Sequence, residues 1–202
     1  MAPTVSKMDA TLALLRERGT LRPRELAAVG IPADYLDRLH RRGEAERVGR
    51  GLYALPDVEV SEHHSLAAVA RQVPKGVVCL LSALRFHELT TQSPAAVWLA
   101  LPSKAWVPDV KSPRLRILRY SGAALTGMVE EHAVEKVTVR VYSPAKTVAD
   151  CFKFRNAVGL DVALEALRDC WRQRRATMDE LWAAAAVCRM SNVMRPYLES
   201  VA

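Results

Sequence analysis

Apolar residues in the first quarter of the chain recur at helical spacing and are interrupted at short intervals by glycine and proline. Met8, Leu12 and Leu15 fall on one stripe of a helix that starts after Ser6, where Ser6 and Asp9 have the spacing of a capping box, and stops at Gly19. Pro23 suits the first turn of a second, short helix carrying Leu26, Ala27 and Val29, and Gly30 turns the chain cheaply. Pro32 opens a third helix over Ala33 to Arg42, in which Leu36 and Leu39 form the inward stripe and Gly43 offers a left-handed cap. Arg47-Val48 and Leu52 to Leu55 then flank Gly49-Arg50-Gly51, the pattern of two short strands around a turn, until Pro56 stops the pairing.

Helix, tight turn, helix and hairpin in that order predict a winged helix-turn-helix over residues 1–56. Polar and acidic residues at 57–61 read as a linker, and an Ala-rich helix follows from Glu62 to Gln72. Gly76 to Leu81 reads as a buried strand, Ser82 to His87 as a helix with Ser82 as its N-cap, and Ala95 to Leu101 as a second apolar strand between Pro94 and Pro102. Leu115 and Ile117 alternate with arginines, and Val137, Val139 and Val141 alternate with Thr138 and Arg140, as half-buried strands do. Four helices are expected beyond them: Pro144 to Phe154, Leu160 to Arg172, Thr177 to Val187 and Asn192 to Ser200. The fold class is α+β, with a larger mixed α/β domain over 62–202 that ends in a helical segment.

Composition narrows the picture without deciding it. With 202 residues, half of them hydrophobic, the chain can bury a core. Its 29 Lys and Arg against 22 Asp and Glu leave a net charge of +7, which suits a polyanionic partner. Cys79, Cys151, Cys170 and Cys188 are scattered, with no CxxC pair and no apolar secretory segment ahead of them, so a reducing cytoplasm is the expected compartment. The longest apolar runs, Ala95 to Leu101 and Leu181 to Cys188, fall short of the roughly 20 residues that cross a bilayer, and no membrane span is expected.

On the third helix Asp34, Asp37, Arg38 and Arg41 lie at i, i+3, i+4 and i+7, opposite the leucine stripe and open to a major groove. Arg38 and Arg41 are placed to donate to guanine edges or phosphates, with Tyr35 and Arg42 beside them against the sugar-phosphate backbone. The two aspartates near the helix start complement its dipole, or one accepts from a cytosine amino group. Arg47 and Arg50 belong to the hairpin, and Arg50, between two glycines, suits a wing tip in a narrow minor groove. The same parts with solvated arginines would also make a protein-holding module; the basic excess and the combination favour double-stranded DNA.

Further along, Lys146, Asp150 and Lys153 share one helix face, read as a salt-bridged, solvated stripe, with a partner contact through Lys146, Lys153 and Arg155 as the alternative. Arg114, Arg116, Arg119 and Arg140, with the run Arg172 to Arg175, either form a second basic surface or coat solvated faces. His63, His64, His87 and His132 sit in no metal-ligand spacing and read as surface or core histidines. Neither a phosphate-binding loop nor a dinucleotide fingerprint occurs, and no nucleophile elbow surrounds Ser82. No catalytic residue, metal or cofactor is expected.

"LDRLHRRG" from Leu36 to Gly43 and "RVGRGLY" from Arg47 to Tyr53 resemble the winged helix-turn-helix of bacterial AbiEi-type antitoxins, from abortive-infection toxin-antitoxin pairs. "LLSALRFHELT" from Leu80 to Thr90 and "YSPAKTVADCFKFRNAVGLDVALEAL" from Tyr142 to Leu167 are similar to that family's second domain. The chain departs in Pro32-Ala33-Asp34 at the start of the third helix and in Ala145 within "SPAKT". The resemblance implies an N-terminal domain that binds inverted repeats in its own promoter and represses it. It also implies a second domain that counters a nucleotidyltransferase-like toxin, by direct contact or otherwise. Two alternatives stay open: a winged-helix regulator whose second domain senses a ligand or dimerises without any toxin, and, more remotely, a metal-dependent nuclease.

Overall fold

A computed structural model describes residues 6–56, 63–110 and 113–201. The chain divides into two compact units, residues 1–64 with 134–137 and residues 65–133 with 138–202. The expected linker at 57–61 and the first residue of the helix expected after it lie outside the described residues.

In the first unit, helix α1 (Lys7–Arg18) starts where Ser6 Oγ accepts from the Met8 and Asp9 N–H groups at 3.1 and 3.3 Å. Helix α2 (Pro23–Ala28) follows, its entry fixed by the Arg22 N–H donating to the Glu25 carboxylate at 2.7 Å. Helix α3 (Asp34–Arg41) ends just before Gly43, whose φ of 72° is the left-handed conformation glycine adopts without strain. Leu15, Leu21, Leu26, Leu36 and Leu39 are fully buried together. Each such side chain contributes roughly 1.5–3 kcal/mol by leaving water.

The hairpin is β2 (Glu46–Gly49) and β3 (Leu52–Ala54), and it carries a third strand that the sequence pattern conceals. Thr20–Leu21 (β1) pairs antiparallel with β3, Thr20 opposite Ala54 and Leu21 opposite Tyr53, giving the order β1-β3-β2. Two residues are too few to show a period, so only tertiary pairing reveals this strand.

The second unit opens with helix α4 (His64–Gln72) and is built on a five-stranded sheet of order β6-β5-β4-β8-β7. These strands are β4 (Val77–Val78), β5 (Val97–Pro102), β6 (Leu115–Tyr120), β7 (Val129–Val134) and β8 (Val137–Tyr142). The pairing is mixed: β4 runs antiparallel to β5 and parallel to β8, while β5 and β6 are parallel. The strand expected over Gly76 to Leu81 is shorter, because the chain turns at Leu80 (φ 46°) straight into helix α5 (Leu80–Phe86). Ser82 is therefore inside α5 rather than its N-cap, and its buried Oγ accepts from the Trp98 N–H of β5 at 3.0 Å.

Two short helices, α6 (Ala123–Thr126) and α8 (Arg155–Val158), accompany the long ones: α7 (Pro144–Lys153), α9 (Leu160–Arg172), α10 (Met178–Cys188) and α11 (Ser191–Val201). Helix α7 lies against α5, α9, α10 and α11, so eight consecutive residues, Ala145 to Phe152, are buried and no face is left to solvent. The solvated stripe expected at Lys146 and Asp150 is thereby corrected. Both side chains are 0% exposed, and Lys146 Nζ meets Asp150 Oδ2 at 2.5 Å.

Around this pair, Lys146 Nζ lies 4.1 Å from the Tyr142 ring centroid and 5.0 Å from that of Tyr120. The Cys188 thiol donates to Asp150 Oδ1 at 3.2 Å. Burial pushes the Asp150 carboxyl up from its ordinary range, and the Lys146 ammonium pulls it back. Lys146 is thus a core residue that no partner reaches. Lys153 and Arg155 are half-buried, and the Arg155 guanidinium donates to the Phe152 carbonyl at 2.9 Å.

Candidate nucleic-acid interface

Leu36 and Leu39 turn α3 so that its opposite side faces out. Asp34, Asp37, Arg38 and Arg41 are all exposed, as are Arg42, Arg47 and Arg50, and Tyr35 is half-buried. The stripe is partly self-neutralised: Arg38 pairs with Asp34 at 2.7 Å, both side chains about half exposed, and the Arg38 guanidinium sits 4.9 Å from the Tyr35 ring centroid. Arg42 pairs with Glu44 at 2.7 Å. Exposed pairs of this kind are worth about 0.3–0.5 kcal/mol, so a phosphate or a guanine edge displaces the carboxylate easily. Arg41 Nε reaches the Asp37 carbonyl at 3.4 Å and leaves most of its guanidinium open.

Asp37 plays a part that sequence reasoning missed. Its Oδ1 accepts a 2.5 Å hydrogen bond from the Tyr53 hydroxyl of β3, joining the middle of α3 to the hairpin. That bond and burial raise the Tyr53 pKa, so the phenol stays a donor at neutral pH. His40 strengthens the junction: its Nδ1–H donates to the Ala45 carbonyl at 3.0 Å, and its ring meets Tyr53 edge-on at 6.1 Å. Asp37 stands in the first turn of α3, where a carboxylate complements the helix dipole, and it has this structural role as well. Tyr53, which brings the sole polar side chain to β3, is the signal from which sequence could have found it.

In the hairpin, Arg47 stands opposite Tyr53 on exposed β2, and the register shifts between Arg47 and Gly49. Arg50 and Gly51 make the turn, Gly51 at φ 63°. Neither Arg47 nor Arg50 is in an ion pair among the described residues. The structure thus brings Tyr35, Arg38, Arg41 and Arg42 onto one helix and its end, and puts Arg47 and Arg50 on the hairpin that Tyr53 ties to it.

Residues 9–56 match the family model described as transcriptional regulator, AbiEi antitoxin. The expected resemblance to AbiEi-type antitoxins is borne out over these residues, from α1 to the end of the hairpin. The matched residues are followed by the mixed sheet and helices of the second unit, and the α+β class expected from sequence holds. In fold the chain is similar to the crystal structure of the RV2827C protein from Mycobacterium tuberculosis, with a TM-score of 0.58 at 13% identity, over 98% of this chain and 81% of that one. No curated protein matches the chain.

Beyond the matched residues 9–56, His87 and His132 lie in the second unit. His87 is buried and its Nε2–H donates to the Tyr142 carbonyl at 2.7 Å. Half-buried His132 is 3.0 Å from Glu130. No group of three or more His, Cys, Asp and Glu able to hold a metal ion occurs among the described residues, and no helix among them is long and apolar enough to cross a membrane.

Proposed function

We propose that this chain is a DNA-binding transcription regulator of the antitoxin type, acting in the cytoplasm without catalysis of its own. The observation that carries the reading is the exposed cationic edge of α3 and its hairpin within the stretch that matches the AbiEi regulators. Arg38 and Arg41 read the major groove, Tyr35 and Arg42 grip the adjoining backbone, and Arg47 and Arg50 reach phosphate or the neighbouring minor groove. The target is double-stranded DNA of its own promoter carrying inverted repeats, whose occupation represses the operon. The second unit counters a nucleotidyltransferase-like toxin encoded beside it.

Fluorescence anisotropy on the upstream promoter fragment and on a scrambled duplex, titrated across salt, tests the reading. Arg38→Ala with Arg41→Ala costs about 2–5 kcal/mol of specific binding, because each bidentate base contact is worth about 1–3 kcal/mol. The circular dichroism of that variant stays unchanged, since the leucine stripe is untouched. Equal affinity for both duplexes would overturn the regulator reading. In cells, the same variant loses promoter repression while still rescuing growth against the neighbouring toxin; loss of both together would contradict the division of labour.

A further inference from the structure

The turn between α9 and α10 walls an open cavity of about 660 Å³, a volume within the range that holds small molecules. Trp171 and Met178 give it an apolar wall, and Arg172, Arg174 and Arg175 stand around it with Glu180. The Glu180 carboxylate is already engaged. It accepts from the Thr177 N–H at 2.7 Å and from the Thr177 hydroxyl at 3.0 Å, and these bonds hold its pKa below the usual range. A second cavity of about 210 Å³ shares Arg175 and Glu180 with the first and extends to Ser143 and Pro144 at the start of α7.

The three guanidiniums differ in how they are held. Arg172 is paired with Asp169 at 2.7 Å and Arg175 with Glu88 at 2.6 Å, exposed pairs that a phosphate can displace. Arg174 is exposed and in no ion pair among the described residues. It also occupies an unusual post. The Arg174 N–H donates to the Trp171 carbonyl at 3.0 Å and the Arg175 N–H to the Cys170 carbonyl at 2.9 Å, a Schellman ending in which Arg174, at φ 54°, takes the place that favours glycine.

We propose that this cavity binds a free nucleotide, its base against Trp171 and its phosphates on Arg174 with Arg172 and Arg175. Guanidinium forks match phosphate oxygens two at a time, and an indole wall accepts the flat face of any base. The site belongs to the second unit, whereas α3 and the hairpin belong to the first, so the proposal does not rest on the DNA-binding reading, and the failure of either leaves the other standing.

Isothermal titration of the full chain with ATP, GTP, adenosine and pyrophosphate is the test. ATP or GTP binds at least tenfold more tightly than adenosine or pyrophosphate, because only the nucleotide uses both the ring wall and the arginines. Arg174→Gly weakens nucleotide binding at least tenfold while its thermal midpoint stays level or rises, since glycine suits the left-handed position; unfolding therefore cannot account for the loss. The proposal is overturned by no nucleotide binding at millimolar concentration, by binding that Arg174→Gly leaves unchanged, or by pyrophosphate binding as tightly as ATP. A trinucleotide that binds through Arg174 when no free nucleotide does would equally overturn it.

Discussion

Replacing Lys146 by methionine separates a core ion pair from a surface one. Methionine keeps the apolar stem in place beside Tyr142 and Tyr120 but removes the ammonium, leaving the Asp150 carboxylate with the Cys188 thiol as a weak donor. On the surface such a change costs a few tenths of a kcal/mol. Here both side chains are fully buried, and breaking a buried pair from one side costs about 3–5 kcal/mol. At roughly 2–4 °C per kcal/mol for a chain of this size, that lowers the thermal midpoint by roughly 6–20 °C. The stranded carboxyl has an escape, since burial already favours its neutral form. Protonating it costs about 1.4 kcal/mol per unit that the pH lies above its pKa, so the penalty shrinks on acidification. Urea unfolding followed by tryptophan fluorescence is the assay, because all four tryptophans, Trp98, Trp106, Trp171 and Trp182, belong to the second unit. Lys146→Met combined with Asp150→Leu recovers most of the loss, as well-packed apolar replacements of buried pairs do. A single variant within 1 kcal/mol of wild type, by this surface scale, would refute the reasoning.

Two other outcomes follow from the same geometry. Asp34→Asn frees Arg38 and removes a carboxylate from the DNA side of α3. Stability changes by less than about 0.5 kcal/mol, while promoter affinity in an anisotropy titration rises several-fold, on the scale of about 1 kcal/mol for one charge pair in water; weakened binding would instead put Asp34 on a cytosine edge. For His87, burial lowers the folded pKa, so the unfolded chain takes up the proton first. Its contribution is complete above about pH 6.5 and is lost as the pH falls below that, with a slope of at most about 1.4 kcal/mol per unit. Urea midpoints of wild type and His87→Gln between about pH 7.5 and about pH 5 check this: the wild type falls more steeply, and parallel profiles would be inconsistent with a neutral buried imidazole.

Periodicity and punctuation made the first unit readable. Pro23, Gly43 and the leucine stripe of α3 each mark an element that the structure contains. Helix α9 spans Leu160–Arg172, as its apolar spacing predicts. What stayed hidden lacks local signal. Strand β7 mixes Glu130, Glu131 and His132 among its apolar residues and turns into β8 through Glu135-Lys136, both at positive φ, where asparagine and glycine would have announced the hairpin. The face of α7 was misjudged because Lys146, Asp150 and Lys153 look like a solvated ladder until neighbouring helices close over it. At the candidate interface the cationic side chains and the neighbouring Asp34 are visible from sequence, but which carboxylate engages which arginine is not, since that depends on rotamers, and the bond from Tyr53 to Asp37 depends on pairing with another element.

The hydrogen bond from Tyr53 to Asp37 also bears on how specificity can be moved between relatives. Exchanging only the exposed residues of α3 for those of another regulator imports new base contacts but deletes the anchor whenever the donor helix has no acceptor at position 37. The hairpin would then lose its fixed offset from the helix, and a new operator would be read with the spacing of neither parent. A transplant that carries positions 37 and 53 together keeps the two grooves in register.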